Sequence, residues 1–126
     1  MINVAKFIYD ELKNSIALEY YVQDRIFHIV APVKTKYPLI TITNISSNID
    51  LKGLRNELWQ VSVFSKNPDT NEKIKSVIIN KFFRLKKEPI KSVVIWQVIN
   101  RRNSTTWSFA THIELKIKSL ENMTLT

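Results

Sequence analysis

Between Glu57 and Ser65 the side chains alternate: Trp59, Val61 and Val63 fall on one face, Gln60 and Ser62 on the other. A period of two predicts a half-buried strand. Asn67-Pro-Asp-Thr70 breaks the pattern with turn-forming residues. Asp69 and Glu72 then stand at capping-box spacing. Ile74, Val77, Ile78, Phe82 and Leu85 recur at helical spacing, with Lys73, Lys75, Asn80, Lys81 and Arg84 on the remaining surface. Such a stripe needs an apolar partner, and the nearest is the face of the strand before it.

The rest of the chain extends this strand-helix unit. Asn3 is placed to cap a helix running to about Ser15, with Val4, Phe7, Ile8 and Leu12 on one side. Ala17 to Gln23 fits either a last turn or a tucked loop. Asp24 to Val30 reads as a short strand, and Val33 to Tyr37 as a polar loop closed by Pro38. Leu39 to Ile45 is rich in β-branched residues, and its alternation slips near Asn44, which predicts a bulge or bend. Ser46 to Asn56 is expected to be a long hairpin loop, and loops of that length tend to be functional or mobile. Lys91 to Asn100 predicts a strand with Val93, Ile95 and Ile99 on one face and Val94, Trp96 and Val98 on the other. Two apolar faces imply cover by the core, by an oligomer partner, or by both. After the polar turn Arg101 to Thr106, Trp107, Phe109, Ile113, Leu115 and Ile117 alternate with polar neighbours. Residues 119–126 are expected to be a flexible tail. The expected fold is α+β: a single two-layer domain over residues 1–126, in the order α-β-β-β-α-β-β. It has a mainly antiparallel four- to five-stranded sheet and two helices packed on one face.

Composition narrows the chemistry. The 126 residues suit one domain, and the single glycine excludes glycine-rich phosphate loops and dinucleotide fingerprints. Cysteine is absent, which removes disulfides and thiolate chemistry. No apolar run is long enough to span a bilayer. His28 and His112 lack companions at ligand or catalytic spacing, and no acid pair or nucleophile signature accompanies them. The expectation is therefore no enzyme, no cofactor and no metal. The net charge of +8 suits an acidic partner or nucleic acid as well as a plain soluble surface. Its densest cluster, Lys81, Arg84, Lys86, Lys87 and Lys91, sits where cations also favour a helix C-terminus.

The segments Phe7 to Leu12, Asp24 to Phe27, Tyr37 to Ile42, Leu58 to Ser65 and Trp107 to Lys118, in this order, resemble the tail-completion, or tail-terminator, proteins of long-tailed bacteriophages. The resemblance implies a virion protein, assembled in the host cytoplasm, that forms a ring, usually a hexamer. The ring caps the head-proximal end of the tail tube, ends its polymerisation and joins it to the head connector. The implied partners are other copies of the chain, the tube protein and the connector or stopper protein, with transient contact to passing DNA and no membrane. Ile49, Leu51, Leu54 and Arg55 in the loop are the expected assembly contacts, with Val94, Trp96 and Val98. The basic cluster is the candidate electrostatic contact. Two alternatives stand beside this reading: a head-completion or connector protein of the same virion, and a basic nucleic-acid-binding module.

Overall fold

The computed structural model describes residues 3–32 and 34–120. Its elements are α1 (Val4–Lys13), α2 (Ile16–Val22), β1 (Ile26–His28), β2 (Leu39–Ile49), β3 (Leu54–Ser65), α3 (Pro68–Phe82), β4 (Ile90–Asn103) and β5 (Ser108–Leu120). The five strands form one sheet in the order β1-β2-β3-β5-β4. Every neighbouring pair is antiparallel except β1 and β2, which run parallel. The domain is α+β, and the sheet is mixed because the segment between β1 and β2 brings the chain back to start a strand in the same direction.

Alternation and helical period place the core where the two patterns meet. Trp59, Val61 and Val63 of β3 and Ile113, Leu115 and Ile117 of β5 face Ile74, Ile78 and Phe82 of α3. Val4, Ile8 and Leu12 of α1 and Leu18 and Val22 of α2 complete the same layer. The Phe7 ring meets Phe82 edge-on at 6.5 Å between centroids. Burying each of these side chains contributes roughly 1.5–3 kcal/mol. Together they hold all three described helices on one face of the sheet.

Several sequence expectations change. Ala17 to Val22 belongs to a second helix, because the Ser15 hydroxyl accepts from the backbone N–H of Leu18 at 3.3 Å and starts a new turn. There are thus three helices where two were expected. The capping box at Asp69 and Glu72 does not form. Asn67 caps α3 instead, accepting from Asp69 N–H at 2.8 Å, with Pro68 in the first turn. The first strand stops at His28, where Ile29 takes φ 76°, a conformation that costs a β-branched residue dearly. Val33 lies outside the described residues.

The long loop at Ser46 to Asn56 is mostly strand. A bulge between Asn44 and Ser46 absorbs the slip in alternation, and pairing resumes through Ile49 opposite Arg55. Only residues 50–53 turn. The expected tail begins inside the sheet, with Ser119 fully buried at the end of β5; residues 121–126 lie outside the described residues.

One buried polar network fastens α3 to the sheet. Asn71 is 3% exposed. Its amide donates to Val63 O at 3.3 Å and Thr111 Oγ1 at 3.2 Å, and its carbonyl accepts from Ser65 Oγ. Thr111 passes the chain on to Asn100 at 2.9 Å, so β3, α3, β5 and β4 are linked. Asn71→Ala leaves these groups buried without partners and should destabilise the fold by about 1–3 kcal/mol in urea unfolding. An unchanged midpoint would show that the network contributes nothing net.

Candidate functional site

The surface left over by this packing has three notable parts. The first is the turn joining β2 to β3. The Asp50 carboxylate accepts from Lys52 N–H at 2.9 Å, Leu54 N–H at 3.1 Å and the Asn56 amide at 3.3 Å. These bonds, that from Leu54 first, hold its acidity above that of an ordinary carboxyl. Gly53 supplies the positive φ of 80° that closes the turn. The turn is therefore a rigid tip, and it holds Leu51 fully exposed and Ile49 57% exposed. Leu54 and Arg55, expected beside them as loop contacts, are half-buried in β3 opposite Leu120 and Ser119. A β-ribbon, not a floppy loop, carries the apolar tip.

The second part is the outer face of the sheet, which no described helix covers. β4 lies at the sheet edge with β5 as its only strand neighbour. A bulge between Ile95 and Gln97 inserts Trp96 as an extra residue. Val94 and Trp96 face outward, 51% and 53% exposed, and Lys116 Nζ sits 3.2 Å from the centre of the Trp96 ring. The same bulge turns Val98 inward. It pairs with Ile113 and packs on the core, so it leaves the group in which alternation placed it with Val94 and Trp96. Between this edge and the ribbon lies a hollow of about 490 Å³ whose wall includes Asn48, Leu58, Val94, Lys116 and Lys118. Glu57, also in its wall, is 8% exposed. Its Oε1 accepts from Ser47 Oγ and Trp59 Nε1, both at 3.2 Å, while Oε2 is buried without a partner among the described residues.

The third part is the basic cluster, and here the structure redistributes the charge. Lys87 Nζ lies 2.6 Å and Lys81 Nζ 3.6 Å from the carboxylate of Glu11, which is buried on α1. Lys91 pairs with Glu88 at 2.8 Å, and Arg84 lies over the Phe83 ring. Of the five expected contacts, two thus neutralise a buried acid that would otherwise be costly, and Lys86 alone has no partner among the described residues. Glu11 gave no signal in the sequence, because Lys81 and Lys87 lie far from it along the chain.

The histidines are apart. His28 sits at the sheet edge, its ring 6.0 Å from Trp59. His112 lies on the outer face, with Nδ1 at 2.7 Å from Ser62 Oγ and 3.2 Å from Gln60 Nε2. With donors on Nδ1, the neutral ring carries its hydrogen on Nε2. Ser62 is 2% exposed, so this pair is a packed sheet contact and not an accessible nucleophile. Among the described residues no three metal-ligating side chains converge, and no helix is long and apolar enough to cross a membrane.

What these parts define is a one-sided α+β domain with an open sheet face and an apolar ribbon tip. The fold is similar to that of a chain in the virion of a native gene transfer agent particle, with a TM-score of 0.68 over 89% of this chain and 90% of that one, at 10% sequence identity. No family model matches the chain, and no curated protein is similar to it in sequence.

Burial holds the His112 imidazole below the ordinary histidine value of 6.5, the Arg101 charge acting with it and Glu114 against it. The unfolded chain therefore binds this proton more tightly than the folded one. Stability associated with the neutral ring is present above about pH 6.5 and is lost as pH falls below it, down to the depressed folded value. Urea midpoints measured across this range should fall less for His112→Gln than for the native chain. Equal slopes would mean that His112 does not contribute.

Proposed function

We propose that the chain is a structural protein of a phage-like virion. In this reading it assembles as a ring on the head-proximal end of the tail tube, ends tube growth and presents its other surface to the head connector. The observation that carries the reading is the placement of two unlike apolar patches: the rigid tip with Ile49 and Leu51 on the β2–β3 ribbon, and Val94 with Trp96 on the opposite sheet edge. Contacts between unlike patches repeat around an axis and close into a ring when the rotation allows. A neighbour across β4 also covers a long unpaired strand edge, which proteins seldom leave open.

The fold shared with a virion chain supports the virion role, and the order of resembling segments from Phe7 to Lys118 supports the tail-terminator assignment. The partners are then other copies of the chain, six in the ring by family resemblance, together with the tube protein and the connector. Catalysis, cofactor and metal have no part in this work; complementary surfaces perform it. The likeness is to a chain of a whole particle, so it lends the head-completion reading the same support, and particles lacking the protein separate the two. Uncapped or over-long tails favour the terminator; filled heads that leak DNA favour the connector.

The direct test is polymerisation of the tube protein with the purified chain present. Tubes should stop growing and carry a ring at one end. Leu51→Asp and Trp96→Asp should each weaken capping about tenfold or more, as expected for an anchor residue at an interface, while thermal melting of the free protein stays unchanged. Tubes that grow without limit in excess protein would refute the proposal.

A further inference from the structure

The end of the sheet farthest from the ribbon tip carries chemistry that capping does not use. There the β4–β5 hairpin and the segment entering β2 enclose a hollow of about 500 Å³, whose wall includes Tyr37, Phe64, Arg101 and Arg102 and no carboxylate. Arg101 and Arg102 also border a second hollow that contains Asp69 and Glu72, but neither guanidinium is ion-paired among the described residues. Lys66 lies over the Tyr37 ring at 4.9 Å and donates to Thr106 O, which ties the hairpin turn to the aromatic wall. Trp107 stands in the same turn, 72% exposed and at φ 52°. A bulky residue costs roughly 1–2 kcal/mol in that left-handed conformation, and exposing an indole wastes its burial energy. Neither expense is needed to close a hairpin, which Asn103 already does by accepting from Thr105 and Thr106 N–H.

We propose that this end of the protein binds single-stranded nucleic acid, with phosphates on Arg101 and Arg102 and a base stacked on Trp107. Charge selects the partner: two guanidiniums without an ion pair among the described residues, in a chain of net charge +8, attract a polyanion. The aromatic faces select among polyanions, because every base offers a flat surface to stack while an acidic peptide does not. Duplex DNA keeps its bases stacked inside and meets only the arginines. The site is distinct from the basic cluster at the end of α3, where Glu11 takes two of the lysines. It does not depend on the capping role, and either can hold without the other.

The test is fluorescence anisotropy of a labelled oligothymidylate titrated with the full chain at low salt. Binding should weaken steeply with added salt. Trp107→Ala should cost about tenfold in affinity, the size of one stacked base. The double variant R101E/R102E should cost more than that and flatten the salt dependence, and R101Q/R102Q should do so to a lesser degree. The double variant R84E/K86E at the other basic end should leave affinity within about twofold. Circular dichroism melts confirm that each variant is folded. The proposal is overturned by any of four results: no binding at low salt, equal losses from both basic ends, an unaltered Trp107→Ala variant, or a polyglutamate of matching length that binds as tightly as the oligonucleotide.

Discussion

The contact between α3 and the central strands governs the rest of the molecule. Ile74, Ile78 and Phe82 pack onto the inward side chains of β3 and β5, and all of them are fully buried with Val61, Val63, Ile113 and Leu115. Because side chains alternate across a strand, this one contact assigns every other residue of both strands to a face. Inward positions must be apolar or internally bonded, as Asn71 and Thr111 are. Outward positions are released from packing. α1 and α2 then join the layer already occupied by α3, and no described helix covers the other side.

An open face is where assembly can be built, and two local irregularities shape it. The bulge at Asn44 lets the β2–β3 ribbon run past the core and project an apolar tip. The bulge at Trp96 pushes an indole outward at the sheet edge while it draws Val98 into the core. Both are single-residue insertions, small in chain length and large in effect, since one step of register exchanges the two faces. They account for the separation of two sticky patches on one small domain.

Charge is spent unevenly over this frame. The lysines at the end of α3 look like a ligand surface when counted along the chain, yet Lys81 and Lys87 converge on Glu11 and close the seam between α1 and the start of β4. Withdrawal of these two charges leaves Arg101 and Arg102, at the other end of the sheet, among the basic residues without a carboxylate partner. The excess of +8 is therefore not spread evenly, and it is the fold that decides which of its charges are left without an acidic partner.

Periodicity was enough to identify β3, α3 and β5, the α+β class and the common face of Val94 and Trp96, because these depend on patterns that repeat within a few neighbours. It also marked the slip at Asn44. It could not show that Ser46 to Asn56 is a ribbon, because polar strand residues such as Ser46, Ser47 and Asn48 are paired by a partner strand and not by their own propensity. Nor could it place Val98, whose face depends on where the extra residue is absorbed against β5. Glu11 with Lys87, and Tyr37 with Arg101, are farther apart in sequence than any local pattern reaches. Only when the helices bury the inner face do such residues come together, and only then does the outer face exist as a surface at all.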